Sequence, residues 1–330
     1  MQNLGIAITG SGSAVPETFL DNRGLSKLAD TSDEWISTRT GTSQRRLARE
    51  SESVTTIGTA ASLKALEMAQ IEPQELDLIL LATSTADDLF GSASQIQAEL
   101  GATNAVAFDL TAACSGFVFG LVTAAQYIRT GVFQNVLLIG ADILSRWVDW
   151  QDRRTCILFG DGAGAAVLQA NERDRLLGFE IKSDGTLNSC LNLSYKPQSK
   201  ELIEGVNISK GNFGNISMNG KEVYRFAIQR VPEIIVKALF GANLSVEQVD
   251  WLLLHQANQR ILDAVAERLS IPSEKVISNV ANYGNTSAAS IPIALDEAVR
   301  VGKIKPEDTI AASGFGAGLT WGAAIFQWGR

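Results

Sequence analysis

One pattern is written twice in this chain, and it restricts the fold more than any other feature. "ELDLILLATS" (75–84), a helical stretch, "LGATNAVAFDL" (100–110) and a turn of small residues are matched later by "QVDWLLLHQA" (248–257), a helix, "LSIPSEKVISNV" (269–280) and another small-residue turn. Two related α/β halves around a pseudo-two-fold axis follow from that repeat. The expected division is residues 1–175 and 176–330. Within the first half, "LDLILLATS" (76–84), "NAVAFDL" (104–110) and "NVLLIGAD" (135–142) are apolar on both faces, as strands covered by helices on each side would be. Helical patterns at 55–70, 92–101 and 115–131 alternate with them, the last two closing on Gly101 and Gly131. That order predicts mainly parallel sheets with right-handed crossovers. Residues 183–220, rich in Ser, Asn, Gly and Lys, read as loops between the halves.

Composition narrows the class of protein. A chain of 330 residues that is 45% hydrophobic and 19% charged can bury a large core. No run of about 18 apolar residues suggests a membrane span, and the first positive charge is Arg23, unlike the basic start of a secretory signal, so a cytoplasmic protein is expected. Three widely spaced cysteines, Cys114, Cys156 and Cys190, form no Cys-x-x-Cys pair, which argues for reduced thiols and against a zinc site. A net charge of -8 disfavours non-specific nucleic-acid binding.

Ligands in such sheets bind beyond the carboxyl ends of strands, and three chemically useful groups follow strands here. Cys114 lies in "DLTAACSGF" (109–117), where a helix starting near Ser115 would favour a thiolate through its N-terminal dipole, with small neighbours leaving room for a substrate. The same cysteine also reads as a small buried hydrophobe. His255 is the only histidine, so any imidazole chemistry must use it and no multi-histidine metal site exists. A polar group satisfied at a sheet end is its plainer reading. In "NYGNTSAASIP" (282–292), Asn285 is either part of a helix cap or an amide donor to a developing oxyanion. "FGDGAGAAVL" (159–168) lacks the Gly-Lys-Ser/Thr ending of a phosphate loop and reads as a turn into a strand. "SGFGAGLTWG" (313–322) lies between two strands as a turn or as a source of backbone N–H groups for an oxyanion.

Together with "TSDEWISTRTG" (31–41) and "HQANQRI" (255–261), these segments resemble, in order and nearly end to end, the β-ketoacyl-acyl carrier protein synthase III family of thiolase-fold condensing enzymes. The resemblance implies a layered α-β-α-β-α fold and the decarboxylative Claisen condensation of a short acyl-CoA, with acetyl-CoA leading, and malonyl-acyl carrier protein, at the start of fatty acid synthesis. It implies Cys114 as acyl acceptor, His255 and Asn285 as donors to the malonyl enolate, and an oxyanion hole from the backbone of Cys114, Gly316 and Ala317. Coenzyme A would meet Trp35, Arg39, Thr40 and Arg153, with Gly220, Tyr224, Ala257 and Asn258 along the pantetheine tunnel; Tyr224 stands where a phenylalanine is expected. Arg225, Arg260 and Arg268 would dock the acidic carrier protein. Phe90 would shape the acyl pocket across a homodimer interface, and Gly91 follows it where relatives usually have proline. No cofactor is implied beyond acyl-CoA as substrate, and no metal, nucleic-acid or membrane partner. A related thiolase-fold enzyme of secondary metabolism is the main alternative; a cysteine thioesterase or amidase lacks its usual motifs, and a non-catalytic module would not need Cys114, His255 and Asn285 intact.

Overall fold

The computed structural model describes residues 4–329, so the extreme ends of both predicted halves lie outside the described residues. Five strands build a first sheet: β1 (Gly5–Ala14), β2 (Leu78–Ala82), β3 (Val106–Leu110), β4 (Asn135–Asp142) and β5 (Gly162–Asn171), in the order β1-β5-β4-β2-β3. A second sheet contains β6 (Leu176–Ser183), then, beyond a hairpin of β7 (Tyr195–Ile203) and β8 (Val206–Phe213), β9 (Trp251–Leu254), β10 (Val276–Ile277), β11 (Thr309–Gly316) and β12 (Thr320–Gln327). Its order, β6-β12-β11-β9-β10, repeats that of the first sheet strand for strand. The repeat seen in the sequence is therefore a repeat of topology.

The sheets are not mainly parallel. In each, the pairs around β2 or β9 run parallel, while β5 and β12 each pair antiparallel with both neighbours. For β11 and β12 the reason is connection length: the turn between them is far too short for a parallel crossover, which needs about a dozen residues.

Among the described residues seven helices are eight residues or longer: α1 (Asp33–Thr40), α2 (Val54–Ala69), α3 (Ala93–Leu100), α4 (Gly116–Arg129), α5 (Gly220–Gly241), α6 (Gln259–Arg268) and α7 (Ser290–Arg300). Local chemistry sets their ends. Ser53 and Thr56 form a reciprocal capping box at the start of α2, and Gly101, at φ 67°, closes α3 in the left-handed conformation that glycine adopts without strain. Helices α4 and α7 touch both sheets and form the middle layer; α2 and α3 cover the outside of the first sheet, α5 and α6 the outside of the second. The result is the five-layer α-β-α-β-α arrangement. Its central core joins Phe117 and Leu121 of α4, Ile291 and Leu295 of α7, and Leu80 and Ile310 from the two sheets.

Two further expectations need correction. Strand β3 is an edge strand whose Val106 and Phe108 are exposed, because no helix covers that face. The supposed loop at 183–220 contains the β7–β8 hairpin, turned at Gly205 with φ 78°. Its residues are almost all exposed, so the strands hold through mutual pairing and show no apolar alternation to announce them.

Candidate active site

The strand ends of both halves converge on Cys114. The chain leaves β3 and turns sharply: Ala113 takes φ 47°, uncommon for a residue with a side chain, and a 3₁₀ turn at Ala113–Ser115 runs into α4. Strand β11 lies directly behind. A Cβ on Gly316 would stand 2.6 Å from the Cys114 nitrogen, and one on Gly314 3.0 Å from the Ser115 Cα. Only glycine lets this strand approach, which gives "GFGAG" a physical reason. Thr320 ties the two segments together, its hydroxyl 3.0 Å from the Ala112 carbonyl and 2.6 Å from Ser115 Oγ.

The turn before α7 carries the other groups. Asn285 Oδ1 accepts from the Ser287 N–H at 2.9 Å, which leaves the amide NH₂ as the donor end. The backbone of Asn285 is held by Leu158 and Gly160, so the "FGDG" turn braces the asparagine rather than a phosphate. His255 follows β9, is buried, and sits edge-on to Phe315 at 5.3 Å. Its Nδ1 is 2.7 Å from Ser290 Oγ. Burial lowers His255 to about 3, so the ring is neutral. Burial also pushes the Cys114 thiol up to about 12. That shift opposes the thiolate-favouring effect expected of the helix start, since a desolvated site disfavours an anion.

Cys114 lines a cavity of about 750 Å³ together with Leu110, Leu144, Phe159, Phe213 and Ile216. The side chains are apolar, a fit for acyl chains. Phe90 reaches the same cavity yet is 98% exposed, and Leu89 and Phe108, also exposed, line it too. Gly91 adopts φ 106°, which proline, fixed near φ −65°, cannot reach. The proline-to-glycine departure is thus a different turn rather than a looser one.

The other predicted residues form two groups. Arg39 and Arg153 lie over Trp35 at 5.3 and 5.4 Å, making a cationic, aromatic cluster at the surface. Thr40 is buried, donates to the Ile36 carbonyl at 2.8 Å and accepts from the Thr42 N–H, so its hydroxyl closes α1. Asn258 caps α6 and donates to the Arg39 carbonyl at 3.1 Å, joining α1 to α6 beside Ala257. Gly220 opens α5, Tyr224 packs under Arg260 at 5.3 Å, and Arg268 donates to the Ile228 carbonyl, so these residues share the α5–α6 face. Arg225 pairs with Glu222 at 3.1 Å. The sequence reading passed over Ser287, Ser290, Thr320 and Asp142; the first three lie inside the quoted motifs, and Asp142 closes β4.

Family models described as 3-oxoacyl-[acyl-carrier-protein] synthase III match residues 108–185, and its C-terminal part residues 239–328. A β-ketoacyl-[acyl-carrier-protein] synthase III of Nostoc sp. (strain PCC 7120) is 75% identical over 330 residues, 100% of both chains. The chain belongs to the β-ketoacyl-acyl carrier protein synthase III family. It is a condensing acyltransferase of fatty acid synthesis. Among solved structures, the synthase III of Aquifex aeolicus VF5 superposes with a TM-score of 0.90 at 44% identity, covering 98% of this chain and 100% of that one. The priming β-ketosynthase of the R1128 polyketide pathway superposes at 0.91 with 34% identity, covering 100% and 98%. Among the described residues no helix is long and apolar enough to cross a membrane, and no group of histidine, cysteine or acidic residues is placed to hold a metal.

Proposed function

We propose that this synthase condenses a short acyl-CoA, acetyl-CoA first among them, with malonyl-acyl carrier protein to give 3-oxoacyl-acyl carrier protein, using Cys114 as acyl acceptor and His255 and Asn285 as enolate donors. The observation that carries this reading is a cavity-lining cysteine with a glycine strand pressed on its backbone N–H, His255 edge-on to Phe315 of that strand, and Asn285 bonded to Ser287, which lines the same cavity. The Cys114 sulfur attacks the acyl thioester while backbone N–H groups of Cys114 and the Gly316-Ala317 stretch hold the oxyanion, and coenzyme A leaves. Malonyl thioester then loses carbon dioxide. Its enolate oxygen takes hydrogen bonds from His255 Nε2 and the Asn285 NH₂, each such donor contributing on the order of 3 kcal/mol. The enolate carbon attacks the acyl-cysteine carbonyl, and Cys114 leaves as the new carbon–carbon bond forms.

Trp35, Arg39 and Arg153 suit the adenine and phosphates of coenzyme A, with Gly220, Tyr224, Ala257 and Asn258 beside the pantetheine arm. The arginines at 225, 260 and 268 provide local positive charge for the carrier protein on a chain of net charge -8. The exposed apolar residues Leu89, Phe90, Val106 and Phe108 at the β3 edge suit a second copy of the chain, as a homodimer.

Intact-mass spectrometry after incubation with acetyl-CoA tests the reading. An acetyl adduct on Cys114 that disappears with formation of acetoacetyl-carrier protein is expected. Absence of any adduct with short acyl-CoAs overturns it.

A further inference from the structure

The two enolate donors sit on separate segments, His255 after β9 and Asn285 in the turn before α7. Two hydrogen bonds to one enolate oxygen require those segments to keep a fixed spacing. One side chain beyond the donors reaches both segments. Glu297 lies on α7 about two turns after Ser290, and so on the same helix face. Its Oε2 accepts from Asn279 Nδ2 at 2.7 Å, and its Oε1 accepts from the Tyr283 hydroxyl. Asn279 and Tyr283 are the two ends of one short helical turn, Asn279 as its cap and Tyr283 as its last residue.

Each arm of that contact leads to a donor. Asn279 gives its backbone N–H to Gln256 Oε1 at 2.9 Å. The Gln256 amide donates in turn to the Leu254 and Ile277 carbonyls at 2.7 and 3.1 Å, which fixes the chain on both sides of His255. The Gln256 N–H returns to Ser290 Oγ, the group that also meets His255 Nδ1. A closed ring results, from Glu297 through Asn279 and Gln256 to Ser290 and back along α7. Tyr283 leads the other way. Only Gly284, at φ 64°, separates it from Asn285, and a Cβ on Gly160 would stand 2.3 Å from its carbonyl oxygen. The loop that braces the Asn285 backbone therefore closes on Tyr283 as well. Burial, with the Glu297 carboxylate beside it, pushes the Tyr283 hydroxyl up to about 12, so the phenol keeps its proton and donates.

We propose that Glu297 is a positioning residue for malonyl decarboxylation, its carboxylate clamping the Asn279–Asn285 turn to α7 and so setting the spacing of the His255 and Asn285 donors. A carboxylate suits the task because its two oxygens accept from two donors at once. Glu297 lines a different cavity from Cys114, shared with Lys64, Arg300 and Lys303. Its effect on the enolate passes through the segments it holds, without contact with substrate. The Cys114 turn is held instead by β11 and by Thr320, so acylation is indifferent to the clamp. This inference rests on His255 and Asn285 being the enolate donors.

Single-turnover release of carbon dioxide tests it, with enzyme already acetylated on Cys114 and malonyl-acyl carrier protein radiolabelled in its free carboxylate. Acylation by acetyl-CoA is read separately by intact mass. Glu297→Ala should release carbon dioxide about 10²-fold more slowly, the cost of displacing reacting groups by about 1 Å, with acylation within about twofold of wild type. Glu297→Gln should recover most of that loss, since its carbonyl accepts from Asn279 and its NH₂ donates to the Tyr283 oxygen. Tyr283→Phe should slow release about tenfold, the scale of one hydrogen bond, and add nothing to Glu297→Ala, because the two residues act as one unit. It removes a single oxygen and so decides the matter if Glu297→Ala does not fold. Release at wild-type rates in these variants, or losses shared equally by acylation and release, overturn the clamp alone. Glu297→Gln as slow as Glu297→Ala also overturns it, by assigning the effect to charge. Unimpaired release from both His255→Ala and Asn285→Ala overturns the parent reading with it.

Discussion

Ser290 Oγ, on the first residue of α7, stands 2.7 Å from His255 Nδ1 and 3.3 Å from the Gln256 nitrogen whose N–H donates to it. A hydroxyl already accepting from a backbone N–H is free to donate its own proton. Given to Nδ1, that proton fixes the tautomer with hydrogen on Nε2, the form an enolate donor needs. Ser290→Ala should therefore lower malonyl decarboxylation about tenfold, the scale of one hydrogen bond of about 1.4 kcal/mol, and leave Cys114 acylation unchanged. Radiometric carbon dioxide release beside intact-mass acylation separates the two. Equal loss in both would contradict a tautomer role.

The depressed His255 has a consequence for stability. Its folded value of about 3 lies below the ordinary 6.5, so the unfolded chain binds the proton that the folded chain refuses. The contribution is complete above pH 6.5 and is lost as pH falls toward 3, at up to about 1.4 kcal/mol per unit. Asp142 and Asp161, raised by burial, work in the opposite sense above their ordinary values. The comparison with His255→Gln isolates the histidine: between pH 7.5 and 5 the wild-type urea midpoint should fall further than that of the variant. Parallel curves would show that His255 is not held neutral.

Gly316 is as specific as the residues that do chemistry. An alanine there brings its Cβ to 2.6 Å from the Cys114 nitrogen and 3.0 Å from its Cβ, where neither neighbour is a flexible side-chain end. The oxyanion hole must open or the nucleophile must shift. Gly316→Ala should cut acylation about 10²- to 10³-fold, the cost of one oxyanion donor, in a protein whose far-ultraviolet circular dichroism is unchanged. Acylation within tenfold of wild type would remove Gly316 from the hole.

The sequence announces some of this molecule and hides the rest for physical reasons. "NVLLIGAD" is one strand end to end because it is buried on both faces, and the two copies of the strand–helix–strand pattern give the shared sheet order. The β7–β8 hairpin is hidden because, with both faces wet, polar and apolar residues follow no period. Thr40 was legible as part of a motif but not as a helix-closing hydroxyl, since that distinction depends on burial. The thiol tells the same story in electrostatic form. A helix start can be read from "CSGF", whereas the burial that pushes the thiol up comes from β11 and the turn before α7, remote in sequence.

Phe213 joins the hairpin to the acyl cavity. Its ring meets Trp147 edge-on at 6.2 Å and Tyr195 at 5.6 Å, while it also lines the space beside Cys114. A cavity of about 750 Å³ is far larger than a two-carbon acyl group, so the primer is limited by how its outer wall is held. Phe213→Ala removes a ring from that wall and releases the hairpin from Trp147. The half-exposed position keeps the loss of stability near 1 kcal/mol, the scale of one aromatic pair. A methylene in an apolar pocket is worth about 1–3 kcal/mol, so discrimination of about tenfold is at stake. The ratio of kcat/KM for hexanoyl-CoA to that for acetyl-CoA should rise by about that factor. An unchanged ratio would place the length filter elsewhere, at the exposed Phe90 turn or in a second copy of the chain packed against it.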